Sequence, residues 1–193
     1  MDRRIAKTRQ AIMEAFVMLM GEKSFEKITI QEIADRANVN RGTVYLHFTD
    51  KYALLDQCIE TYLQLLYETC LPDGEPSEVS AKALLLRTFE FLQRNASIYA
   101  TLMTSKGVPA FRNRMKAMME EGIGEIIKNC GIGPGISPEI LVQFLAVAVA
   151  GLMEWWMVRS MPYTPEEMVE QLLLILERNL ILPEQLAESK PKA

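Results

Sequence analysis

The sequence predicts an all-α chain of about nine helices, with an N-terminal three-helix helix-turn-helix domain and a larger C-terminal helical domain for ligand binding and dimerisation. Three observations predict it. Apolar residues recur at helical spacing and never alternate convincingly with a period of two. The punctuation is of the helix-cap kind, as in Thr29-Ile30-Gln31-Glu32, Ser137-Pro138-Glu139 and Thr164-Pro165-Glu166-Glu167. Two sharply capped short segments between residues 29 and 48 are separated by a turn of about three or four residues, the pattern of a helix-turn-helix.

The first helix is expected from Arg3 to Met20, with Ile12, Phe16 and Leu19 as its buried stripe and Gly21 as its stop. In the second, Thr29 is the N-cap and Glu32 completes a capping box. Ile28 and Ile33 can staple across it, Ala34 and Ala37 turn inward, and the helix ends near Asn38. Asn40 caps the third helix, and Val39 can staple to Val44. Asp50 opens a fourth helix that runs to about Cys70 and stops at Leu71-Pro72. A loop over Pro72–Pro76 follows, then helices near Glu78–Gln93, Ala96–Thr104 and Pro109–Asn129. Gly131–Gly135 is a break. The last two helices start behind Ser137 and Thr164, and the tail from Glu184 to Ala193 is polar. The boundary between the domains is expected after residue 50, giving 1–50 and 51–193.

The third helix reads Asn40-Arg41-Gly42-Thr43-Val44-Tyr45-Leu46-His47-Phe48. Val44 and Phe48, four apart, can anchor one face to a core, which leaves Arg41, Gly42, Thr43, Tyr45 and His47 for other faces. That set suits a duplex. Gly42 permits close approach, Arg41 can bond guanine O6 and N7, and Thr43 can meet a thymine methyl or a base edge. Tyr45 and His47 can donate to phosphates, and so can Lys51 in the first turn of the fourth helix, where free N–H groups favour an anion. Thr29 stands where it could touch the flanking backbone.

The run Thr29–Leu55 resembles the DNA-binding signature of the tetracycline-repressor (TetR-type) family, T-[IV]-x-x-[IV]-A-x-x-A-x-[VT] then G-x-[VL]-Y-x-H-F-x-x-K-x-x-L. It stands here as Thr29, Ile30, Ile33, Ala34, Ala37 and Val39, then Gly42, Val44, Tyr45, His47, Phe48, Lys51 and Leu54. The resemblance covers roughly the first third of the chain. It implies a transcriptional regulator, a repressor by preference, that binds a palindromic operator as a homodimer and is released by a small-molecule effector. An activator, or a regulator controlled by a protein co-effector, stays open as the alternative.

The body supports a dimer on its own residues. Leu172–Leu176 is apolar around most of its helix, and Ala146, Ala150 and Gly151 let another helix pack close to the one before. The seam is therefore expected in the last two helices. Candidate effector-lining residues are Phe89, Tyr99, Met103, Phe111, Met115, Met118, Trp155 and Trp156, with an apolar or amphipathic small molecule as the ligand class. For any one of them taken singly, core packing is the favoured reading.

Charge and composition exclude several other classes. The chain has a net charge of −4, but Met1–Lys51 holds 9 Lys+Arg against 7 Asp+Glu, a balance of +2, and the remainder holds 12 against 18, a balance of −6. A basic end on an acidic body fits one phosphate-facing surface. Cys58, Cys70 and Cys130 form no CxxC pair, so neither a metal nor a cofactor is expected. The odd thiol count and the lack of a leader pattern point to the cytoplasm. A redox-sensing thiol at Cys58 or Cys70 is the less favoured reading against inert buried thiols. Ile140–Val158 approaches the roughly 20 apolar residues of a membrane span, but Gln143 and Glu154 interrupt it, and a helix buried on most sides is expected instead. His47 is the lone histidine, and no phosphate loop or nucleophile motif is present, so no enzyme is expected.

Overall fold

The computed structural model describes residues 3–70, 80–104, 109–130 and 135–178. Among them are nine α-helices and no strand: α1 (Arg3–Glu22), α2 (Ile30–Arg36), α3 (Arg41–His47), α4 (Lys51–Cys70), α5 (Ala81–Arg94), α6 (Ala96–Thr104), α7 (Pro109–Cys130), α8 (Pro138–Val158) and α9 (Pro165–Arg178). A single 3-10 turn over Phe25–Lys27, which helical periodicity did not predict, leads into α2. The loop expected over Pro72–Pro76, most of the break at 131–135 and the tail from Glu184 lie outside the described residues.

The chain divides into two compact units. The first comprises residues 1–64 and 97–111, the second 65–96 and 112–193. The expected boundary after residue 50 falls at the start of α4, whose residues up to Gln64 cluster with the N-terminal helices.

The core of the first unit is built from Ile12 and Phe16 of α1, Ile33 and Ala34 of α2, Val44 of α3 and Leu54 of α4, all fully buried. Leu19 completes the stripe foreseen on α1. Gly21 does not end that helix, which runs on to Glu22, and the amide of Lys23 still donates to the Leu19 carbonyl at 3.0 Å. A Cβ at Gly21 would stand 3.2 Å from Thr101 Oγ1, so the glycine serves close approach. Arg9 ties α1 to α4 by a hydrogen bond to Gln57 and lies 4.8 Å from the Phe48 ring centre. The hydroxyl of Tyr99 donates to the Tyr62 carbonyl at 2.7 Å. Cys58 is buried in this core, and burial pushes its thiol up, away from the reactive thiolate form.

In the second unit α5 packs along α9. Phe89 of α5 meets Trp156 of α8 edge to face at 5.2 Å, and Arg112 pairs with Glu154 at 2.9 Å. Thr164 and Glu167 close the box predicted at the start of α9: the Thr164 amide donates to Glu167 at 2.8 Å, and the Glu167 amide donates to the Thr164 hydroxyl at 3.2 Å.

One expectation needs correcting. α8 is long and apolar enough to cross a membrane by length and composition, and it was expected to be buried on most sides. Leu141, Leu145, Ala146, Val149, Met153, Trp156 and Met157 are indeed buried. The opposite face is bare: Ile140, Phe144, Val147, Gly151, Trp155 and Val158 recur at steps of three and four and are all exposed. The 3.6-residue period of the helix sorts these two sets onto opposite sides.

Candidate nucleic-acid interface

The helix-turn-helix is fixed by local chemistry. Thr29 occupies the N-cap of α2. Its hydroxyl accepts from the Glu32 amide at 3.3 Å, and its own amide donates to the Glu32 carboxylate at 3.0 Å. Lys23 adds a salt bridge to the same carboxylate. That lysine, then the Thr29 amide and hydroxyl, pull the Glu32 pKa from 4.5 to about 2. A pKa lowered on folding stabilises the fold above the unfolded value, and this contribution is lost as pH falls through the folded value. Acid unfolding curves of Glu32→Gln are therefore expected to lose part of the wild-type pH dependence between about pH 4.5 and 2. Curves of unchanged slope would show that the carboxylate is not coupled to folding.

The turn between α2 and α3 closes through Asn38, which takes a left-handed φ of 53°, while the Val39 amide reaches back to the Ala34 carbonyl at 3.0 Å. Asparagine tolerates this conformation better than most residues. Asn40 occupies the N-cap position of α3 but makes no side-chain cap bond.

α3 is held from one side only. Val44 is fully buried and Phe48 nearly so. Arg41, Gly42 and Tyr45 are exposed, and Thr43 and His47 are half-buried. A Cβ added at Gly42 would touch nothing within 4 Å, so the space over the helix there is open. The Arg41 guanidinium rests 5.6 Å from the Tyr45 ring centre and 3.4 Å from its hydroxyl. Both side chains therefore already lie together on the outer surface. Leu46, which sequence reasoning passed over, is 84% exposed. Its signal was present: on a 100° helical wheel it stands opposite the pair Val44 and Phe48.

Two candidates are occupied differently from expectation. Thr29 is exposed, but its hydroxyl is engaged in the capping box. Lys51 was expected to serve phosphate at an open helix end. Its ammonium instead donates to three carbonyls, Phe25 at 3.0 Å, Glu26 at 2.9 Å and Ile28 at 3.3 Å. It also stands 4.7 Å from the Phe25 ring centre. The helix end is not open either, because the Asp50 carboxylate accepts from the amides of Tyr52 and Ala53, each at 2.8 Å. An ammonium has three donors, and all three are committed.

Of the effector candidates, Tyr99, Met103 and Phe111 belong to the first unit, with Tyr99 and Phe111 edge to face at 6.1 Å. Phe89, Met115, Met118, Trp155 and Trp156 belong to the second. Six of the eight are fully buried; Met118 is half-buried. Trp155 is 42% exposed on the bare face of α8 and stacks on Tyr163. Among the described residues no group of three or more His, Cys, Asp or Glu could hold a metal ion.

Comparison with known proteins agrees with this architecture. Residues 12–58 match the model for bacterial regulatory proteins of the tetR family, and residues 80–178 match that for a transcriptional regulator C-terminal region. An HTH-type transcriptional regulator of Haemophilus influenzae is 29% identical over 132 residues, covering 66% of each chain. The crystal structure of NalD, the secondary repressor of the MexAB-OprM multidrug efflux pump in Pseudomonas aeruginosa, is 25% identical at a TM-score of 0.73, covering 92% of this chain and 98% of that one. A TetR transcriptional regulator from Streptococcus agalactiae 2603V is 28% identical at a TM-score of 0.70, covering 91% of this chain and 96% of that one. Several curated relatives are described as repressors or negative regulators. Of three curated HTH-type relatives, the chain spans 22%, 37% and 66% of their own length.

Proposed function

Since the chain belongs to the TetR family of bacterial transcriptional regulators, and is thus a DNA-binding protein and not an enzyme, we propose that it is a cytoplasmic repressor which binds a palindromic operator as a homodimer and is released by a small-molecule effector. The observation that carries the DNA reading is the one-sided packing of α3. Two residues anchor it, and Arg41, Gly42, Tyr45 and Leu46 are all exposed. A helix standing proud of its core, with a guanidinium and small residues outward, fits a major groove. Thr43 reads a base edge, while Tyr45 and His47 donate to the phosphate backbone.

The homodimer reading is supported by the bare stripe on α8, with Leu174 and Ile175 exposed on α9. Such a face repeated by a two-fold axis makes a self-complementary four-helix seam. Repression is supported by the relatives described as repressors. The effector reading is supported by aromatic and methionine side chains buried in each unit and by family membership. An effector must favour one of two states of the protein, since equal affinity for both shifts nothing.

Selection of bound duplexes from a random library, with the recovered duplex titrated at two salt concentrations, tests the proposal. A palindrome bound by two chains is the expected result; no enrichment over random duplex would overturn the DNA reading. On the recovered duplex, Arg41→Ala is expected to cost about 1–3 kcal/mol and to relax preference at one base position per half-site. Equal loss on unrelated duplex would make Arg41 a phosphate contact.

A further inference from the structure

We propose that Leu46 is a specificity-determining residue that reads the 5-methyl group of a thymine in each operator half-site, an inference that rests on the DNA reading above. No other large apolar side chain among the described residues is as exposed as Leu46, at 84%. It does not belong to the bare faces of α8 and α9, where further apolar side chains stand beside each exposed one. Its surroundings on α3 are Gly42 one turn back, with open space above it, and Thr43 and Tyr45 alongside.

The direction of Leu46 is set by the two anchors. Val44 and Phe48 point into the core, at about 300° and 340° of the wheel when Arg41 is taken as zero, and Leu46 falls near 140°, diametrically opposite their mean. Whatever surface α3 lies against therefore meets Leu46 first. Gly42, at about 100°, and Thr43, at about 200°, are the small residues flanking it, so no neighbour on the helix holds the backbone away. Arg41 and Tyr45 lie to one side, near 0° and 40°, where they would reach guanine or phosphate. In a major groove the one apolar feature a leucine can bury against is the thymine methyl. Water, phosphate and the polar base edges offer it nothing, and a leucine left facing them would forfeit its burial.

Uracil in place of thymine removes that methyl and leaves the pairing intact. The duplex recovered by selection is synthesised with single thymine-to-uracil replacements, made symmetrically in both half-sites, and each is titrated against wild type and Leu46→Ala. The expected result is one thymine position per half-site at which uracil weakens wild-type binding about 4-fold, or about 15-fold for the symmetric pair, by the transfer free energy of one methyl-sized group. At that position Leu46→Ala should bind the thymine and uracil duplexes equally, because the residue that sensed the methyl is gone. Leu46 packs on nothing in the core, so Leu46→Ala is expected to melt with wild type, and a melting curve checks this. If uracil costs the same in both proteins, or costs nothing at any thymine, Leu46 does not read the methyl while the DNA reading stands. If selection recovers no preferred duplex, the DNA reading falls and the proposal falls with it.

Discussion

Phe144→Glu is expected to yield a monomer that remains folded but no longer holds the palindromic duplex. Phe144 is 52% exposed in the N-terminal half of the α8 stripe and borders a shallow apolar groove with Ile140 and Val147. In a seam related by a two-fold axis every substitution occurs twice. With about half of each ring left to bury, two phenylalanines would each forfeit about 1 kcal/mol of burial, and two carboxylates would have to lose water against apolar surface. The sum is at least about 5 kcal/mol, which raises the dimer dissociation constant by three to four powers of ten. With one recognition helix left, the loss of the second half-site costs about 100-fold or more in operator affinity. Sedimentation equilibrium reads the first effect and operator titration the second. Met18→Glu is the control, because Met18 is equally exposed, at 52%, but lies on α1. A Phe144→Glu protein that sediments as wild type would place the seam elsewhere.

Lys51→Ala is expected to lower the unfolding free energy by about 2 kcal/mol, the scale of a hydrogen-bonded charge whose partners are left unpaired. The three carbonyls it holds belong to the turn that delivers the chain into α2, and its ammonium stands 4.7 Å from the Phe25 ring centre and 5.9 Å from that of Tyr52. Phe25 in turn contacts Phe16 at 6.1 Å and Tyr52 at 5.1 Å. Operator affinity should fall because the entry to the helix-turn-helix loosens, with the salt dependence of binding unchanged. A phosphate contact predicts the opposite pair: unchanged melting, and a salt slope flatter by about one unit. Lys51→Arg separates them again. A planar guanidinium cannot direct three bonds to three converging carbonyls, so melting should not recover, whereas a phosphate would accept arginine readily.

The difference between those two readings of Lys51 shows where the sequence is legible. The capping boxes at Thr29 and Thr164 were readable because both partners lie three residues apart, and the structure holds both. The start of α2 followed from that local chemistry, whereas Asn40 marks the start of α3 without a side-chain cap bond. The carbonyls that engage Lys51 are 23 to 26 residues upstream, and the 3-10 turn that aims them has no periodicity to betray it. Gly21 had the composition of a helix stop, yet its place against Thr101 is a tertiary fact from a segment 80 residues away. Leu46 was overlooked because leucine suggests a core, although the wheel drawn from Val44 and Phe48 already turned it outward. The effector candidates were chosen by residue type. Burial is common to most of them, but type alone could not divide them between two units.

The chain's two tryptophans, adjacent in sequence, are optically inequivalent. Trp156 is fully enclosed, with its indole N–H donating to the Tyr163 carbonyl at 2.8 Å and its ring against Phe89. Trp155 is open to solvent on the α8 stripe. Emission from Trp156 should be blue and insensitive to iodide. Emission from Trp155 should be red and quenchable in a single chain, and should shift to the blue when a second chain covers the stripe. The fluorescence of the unlabelled protein, followed on dilution, thus records subunit association directly, and Trp155→Phe supplies the silent background.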